Sequence, residues 1–157
     1  MTDNHSLIFS MALKQSNQLI TGRLVHLVGS EVKHIFVATS GLPRYQTRHN
    51  LSTKSRGAIP PSHLVDFKAS KHYSVHTRPI MLASTGIEGN FYKIEPMFVK
   101  IGSQLRGDFG IHFDANVPGS AGCIVIINQD PWQVFQEEMS ALSRQGVSQI
   151  PLIVLYT

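Results

Sequence analysis

Three apolar, β-branched runs separated by short polar turns fill the first forty residues and commit this part of the chain to sheet. Leu7–Lys14 is followed by the break Gln15-Ser16-Asn17-Gln18, Leu19–Val28 by the turn Gly29-Ser30-Glu31, and Val32–Thr39 completes the set. Runs rich in Val, Ile, Leu and Phe between Gly, Asn and Ser turns predict a β-meander, with Gly22 as a bulge or bend. Ile124–Ile127 and Ile150–Tyr156 read as buried strands by length and β-branching. Leu64–Ala69 and His72–His76 read as short strands. Phe91–Ile101 reads as another, which Pro96 assigns to an edge or a bulge because proline cannot donate to a ladder.

One helix is expected. Asp130 supplies an N-cap, Pro131 suits the first helical position, and Glu137 and Glu138 follow within two turns. Trp132, Phe135, Met139 and Leu142 recur at spacings of 3, 4 and 3, an apolar stripe for core packing that Gly146 terminates. The predicted fold is therefore mainly β, a sandwich or sheet with the single Asp130–Gln145 helix on one side. One domain over residues 1–157 is long enough to build a core without metals or disulfides. An apolar fraction of 42% with 15% charged residues excludes a disordered chain. The longest apolar runs are too short to span a bilayer, so no transmembrane segment is expected. No basic region precedes an apolar stretch at Met1–Leu7, so no signal peptide is visible. Work outside the cytoplasm would need delivery by another system.

The net charge of +4 is concentrated. No acidic residue lies between Glu31 and Asp66, while Lys33, Arg44, Arg48, Lys54 and Arg56 all do. Such a segment is either a solvated basic loop or a contact for nucleic acid, an anionic polymer or a carboxylate-rich substrate. It lacks the aromatic-basic pattern of an RNA-binding sheet, so no nucleic-acid partner is expected. His72 and His76 would share a face on a helix, but their segment reads as extended. With no His-Glu-x-x-His or paired-cysteine pattern, neither a zinc site nor another cofactor is expected.

Cys123 is the only cysteine, which excludes an internal disulfide. It is either a buried small hydrophobe or a reactive thiol. It follows Pro118-Gly119-Ser120-Ala121-Gly122, and His112 lies eleven residues upstream in Gly110-Ile111-His112-Phe113. The Asp114–Gly119 loop is long enough to bring the chain back beside the histidine. An imidazole there could take and return a proton, and imidazolium beside the sulfur would draw the thiol below its ordinary ~8.5. Ser120, Ala121 and Gly122 have little side chain, so their N–H groups could close on a substrate as an oxyanion hole.

Ile111-His112-Phe113 followed by Gly119-Ser120-Ala121-Gly122-Cys123-Ile124 resembles the L,D-transpeptidase (YkuD-like) catalytic domain, whose signature is a histidine, a variable loop and Ser/Thr-x-Gly-Cys. Ser40-Gly41 and Arg56-Gly57-Ala58-Ile59-Pro60-Pro61 look like the upstream segment of its short-loop phage and effector-type members. Arg106 falls where an arginine often precedes the catalytic histidine. The resemblance covers about residues 18–157. It departs from the family at Ala121, where a second histidine is usual, at Val125, where a polar or basic residue is common, and at Phe113, where a small residue is common. The resemblance implies a Cys123 thioester on a peptidoglycan stem peptide, His112 as base, and the N–H groups of Ala121, Gly122 and Cys123 as oxyanion donors. It implies transfer to an amine or to water, giving transpeptidase, carboxypeptidase or endopeptidase products. A backbone carbonyl or Asp114 would orient His112, Arg106 would bind a substrate carboxylate or form a structural salt bridge, and Asp114 would be a further substrate contact. It also implies a delivery or immunity partner. A member that binds wall polymer without cutting it is the alternative.

Overall fold

Alternation along the first strands decides which side becomes the interior, because successive side chains in a strand point to opposite faces. In β1 (His5–Met11) Leu7, Phe9 and Met11 are buried, in β2 (Gly22–Val28) Leu24 and His26, and in β3 (Glu31–Ser40) Phe36 and Ala38. The computed structural model describes residues 4–67, 71–83, 87, 89–115 and 117–157. It pairs β1 with β2 and β2 with β3, all antiparallel, as a meander requires. The irregularity in β2–β3 falls between His26 and Leu27 rather than at Gly22, which instead begins β2.

The remaining elements are β4 (Tyr73–His76), β5 (Ile80–Leu82), β6 (Gly89–Glu95), β7 (Phe98–Ile101), β8 (Gln104–Gly107), β9 (Gly110–Phe113), β10 (Ile124–Ile126), α1 (Gln129–Arg144) and β11 (Gln149–Tyr156). The strand order is β4-β11-β1-β2-β3-β10-β9-β6-β5, and β4 also pairs with β6. That extra pairing closes eight strands into a barrel-like sheet. β7 and β8 form a separate hairpin. The single run expected over Phe91–Ile101 is two strands, β6 and β7, interrupted at Pro96 after a cis Glu95–Pro96 bond. The strand expected over Leu64–Ala69 is a short 3-10 turn at Ser62–Leu64 and one bridge, Asp66 to Lys100, with residues 68 and 69 outside the described residues.

The stripe on α1 is buried as its spacing predicts, with Trp132, Phe135, Met139 and Leu142 all in the core. Phe135 meets Phe36 edge-on at 5.7 Å and Tyr92 at 5.2 Å, and stacks on Trp132 at 5.7 Å. The cap residue is Asn128, not Asp130. Asp130 and Pro131 fall in the first turn, where a carboxylate favours the positive end of the helix dipole and a missing donor costs nothing. Glu138 ties the helix to β3 through Lys33 at 3.0 Å and His34 at 3.1 Å. Buried among these groups, and beside His5, His26 is pushed down to a pKa of about 4 and is uncharged at neutral pH. No helix among the described residues is long and apolar enough to cross a membrane.

Phe135→Ala should cost about 3–5 kcal/mol in urea unfolding, because it empties the joint between helix and sheet. Val37→Ala, on the exposed outer wall of β3, should change stability by less than about 0.5 kcal/mol.

Candidate functional site

β9 and β10 run parallel, with Ile111 opposite Ile124 and His112 opposite Val125. One residue further back, this register sets Cys123 opposite Gly110 and on the same face as His112. A rise of ~3.3 Å per residue and a strand spacing of ~4.8 Å leave the two Cα atoms about 8 Å apart. Both side chains line one depression of about 300 Å³, together with Leu42, Val117, Gly119 and Ala121. The two residues singled out by the sequence are thus brought to one site. They are not hydrogen-bonded to each other: Cys123 Sγ approaches the Asp108 carbonyl at 3.8 Å.

His112 is buried, and its Nδ1 lies 2.9 Å from the Phe113 carbonyl. That contact assigns the proton to Nδ1 and leaves the Nε2 lone pair available to accept one. The ring stacks against Phe91 at 6.0 Å, and Gly110 makes room for this, since a Cβ there would come within 2.1 Å of the Phe91 ring. Burial pushes the His112 pKa down. The orienting group is therefore a main-chain carbonyl. Asp114 instead accepts from the Gly119 N–H at 3.4 Å and closes the loop between the strands, and burial raises its pKa.

Ser120 is a hub. Its hydroxyl donates to the Cys123 carbonyl and accepts from the N–H groups of Gly41 and Gly122, each at 3.3 Å. Its own N–H donates to Gly41 O at 3.1 Å. Ser40 works alongside, donating to Gly122 O at 3.2 Å and accepting from Ile59 N at 2.9 Å. The Ser40-Gly41 and Ala58-Ile59 segments, far apart in sequence, thus converge under the Cys123 loop. Gly122 adopts φ 131°, and a Cβ there would sit 2.7 Å from an Arg106 terminal nitrogen. Only glycine satisfies both the angle and the close approach.

Arg106 is buried and committed. Its terminal nitrogens donate to the carbonyls of Leu51 at 2.9 Å, Ala58 at 2.6 Å, Gly57 at 3.0 Å and Ala121 at 3.3 Å. It lies over the Phe109 ring at 5.4 Å. The guanidinium is therefore a brace between the basic loop and the cysteine turn, and both of its terminal nitrogens are taken. Sequence reasoning missed a second brace, Gln46, which is buried and bonds Thr39 Oγ1 at 2.7 Å, Ile20 O at 2.9 Å and Ser40 O at 3.0 Å, while accepting from Ile20 N at 2.7 Å. A glutamine in a loop without period carries no sequence signal that would mark it.

On its other side, Cys123 borders a second depression of about 280 Å³ lined by Lys54, Ser55, Phe98, Leu105 and Asp108. Arg44, Arg48, Lys54 and Arg56 are exposed, with Arg56 over the Tyr45 ring at 5.0 Å. Lys33 stands apart from them, paired with Glu138. The sulfur is partly open to the two depressions, yet enough protein surrounds it that burial pushes the thiol up to about 11, outweighing the Gly110 main chain and Arg106, which pull it down. The expected lowering below ~8.5 is not found, because burial of the thiol itself is the largest influence and raises its pKa.

Alkylation of Cys123 should accordingly be slow at pH 7 and rise about tenfold per pH unit from pH 8 to 10, since a pKa raised to about 11 keeps the thiol protonated through that range. An inflection at or below 8.5 would contradict this. Arg106→Lys should cost at least about 3 kcal/mol, because one ammonium cannot span carbonyls on separate segments, and should expose the 42–58 loop to proteolysis. The chain matches no known family model and no curated protein sequence.

Proposed function

We propose that this protein is a cysteine-dependent acyl transferase of the L,D-transpeptidase type, which opens an amide bond of a peptidoglycan stem peptide through a Cys123 thioester. The observation that carries the reading is the position of the sulfur between two depressions, one shared with His112 and the other with Lys54. Acyl donor and acceptor can then approach one nucleophile from different sides. The substrate class rests on the sequence resemblance. On this reading the barrel-like sheet with its single helix is a short-loop version of that family's fold, and the protein reaches the wall through a delivery system or a phage particle.

Thiol and imidazole are both neutral at rest, so the proton moves during attack rather than before it. Nε2 of His112 takes the Sγ proton as sulfur bonds to the carbonyl carbon, and the Phe113 carbonyl holds the ring while it becomes charged. The Gly122 N–H is turned to Ser120, so Ala121 and Cys123 supply the donors to the oxyanion. His112 then protonates the departing amine of D-alanine, and the thioester remains. A second amine gives a cross-link, and water gives a shortened stem. Lys54 takes the carboxylate-binding role that the resemblance assigned to Arg106. Arg44, Arg48 and Arg56 extend that charge toward an anionic polymer.

The raised thiol pKa favours a second reading, a wall-binding module without turnover. Mass spectrometry of muropeptides after incubation separates the two. The catalytic reading expects shortened, exchanged or cross-linked stems, no turnover by Cys123→Ala, and a loss of about 10²–10⁴-fold in His112→Ala. Salt-sensitive wall binding with no change in any stem, in wild type and Cys123→Ala alike, would establish the binding module instead.

A further inference from the structure

Away from the cysteine, Glu138 of α1 meets two histidines of the β2–β3 hairpin. His26 and His34 are direct cross-strand partners. One ligand atom each from His26, His34 and Glu138 lies within 4.8 Å of the others, with His34 Nε2 3.1 Å from Glu138 Oε1. His26 is wholly buried, and its Nδ1 is the one buried side-chain nitrogen or oxygen among the described residues with no hydrogen-bond partner. Its Nε2 is 2.9 Å from His5 Nδ1. The rings of His5 and His34 lie on His26 at interplanar angles of 28° and 24°. A buried ring nitrogen without a partner is costly in either tautomer, so its persistence calls for something to bind it.

We propose that His26, His34 and Glu138 form a binding site for a divalent transition-metal ion of the Zn2+ class, which clamps α1 to the β2–β3 hairpin. Two imidazoles and one carboxylate suit a borderline ion. Zinc holds these atoms at about 2.0–2.2 Å, which sets them about 3.4 Å apart around a tetrahedral centre. The side chains must therefore draw in by roughly 1 Å, and the side chains of His34 and Glu138, 30% and 19% exposed, have room to turn. If Nδ1 of His26 takes the metal, Nε2–H donates to His5, the outer contact that orients metal-bound imidazoles. Glu138, with His5 and Lys33, also lines a depression of about 400 Å³. Lys33, 3.0 Å from Glu138 Oε2, opposes the ion. The inference is independent of the reaction assigned to Cys123.

Titration of the metal-stripped full chain with Zn2+, followed by calorimetry, should show one equivalent bound. At a hundredfold excess over Kd it should raise Tm by roughly 5–10 °C. His34→Ala and Glu138→Gln, both at partly exposed positions, should weaken binding at least about 100-fold, more than second-shell changes generally cost. Lys33→Gln should tighten it, and Cys123→Ser and His76→Ala should leave it unchanged. Co2+ should give the visible bands of a nitrogen- and oxygen-ligated tetrahedral ion. The proposal is overturned by absence of stoichiometric binding at micromolar Zn2+, by unaltered binding in His34→Ala and Glu138→Gln, or by thiolate charge-transfer bands with Co2+, which would place the ion on Cys123.

Discussion

A buried guanidinium organises this molecule. Among the described residues no carboxylate comes within ion-pair range of Arg106, so its charge is balanced by main-chain carbonyls from Leu51, Gly57, Ala58 and Ala121. An unpaired charge in such a place would be expensive, and charge-assisted hydrogen bonds offset the cost only when the carbonyls are held in position. The dependence therefore runs both ways. The irregular connection from Leu42 to Pro61 is ordered because the arginine gathers it, and the arginine is tolerated because the connection is there. The cysteine turn is gathered by the same group, which leaves no space for a side chain at Gly122.

The strand β3 joins the two polar centres. Ser40, at one end, bonds under the Cys123 loop, and His34 lies six residues earlier beside α1. At ~3.3 Å per residue they are about 20 Å apart. Phe36 and Ala38, inward-facing and buried, separate them. Whatever holds the helix against His34 thus also holds the strand from which Ser40 bonds the Gly122 carbonyl, next to the cysteine.

Some of this was written plainly in the chain. The α1 stripe was legible because its spacing matches the helical period and Pro131 and Gly146 bound it with start and stop signals. The pairing of His112 with Cys123 was legible because eleven residues suffice for a return loop, and the parallel register then sets both on one face. Other features carry no local signal. The outer wall holds Val32, Ile35, Val37, Ile153 and Leu155 in the open, so apolar residues occupy both faces of β3 and β11 and alternation alone could not name the interior. Arg106 was expected to contact substrate, and nothing in the sequence around it marks the four main-chain carbonyls that occupy its guanidinium. His26, His34 and Glu138 come from two strands and a helix, and only the folded chain makes them neighbours. The sequence sets an imidazole near the thiol but carries no sign of how deeply the fold buries either group, and burial raises the thiol pKa and lowers that of the imidazole.

The parallel pairing of β1 with β11, Leu7 beside Leu152 through Met11 beside Tyr156, has a consequence for how the molecule comes into being. As the chain leaves the ribosome, β1 can find β2 at once, but its other edge stays bare until more than a hundred further residues have emerged. Throughout that interval the nascent meander presents an apolar strand edge with unsatisfied main-chain groups, the kind of surface that recruits chaperones or neighbouring nascent chains. The last strand is thus the partner that protects the first, and synthesis delivers it late.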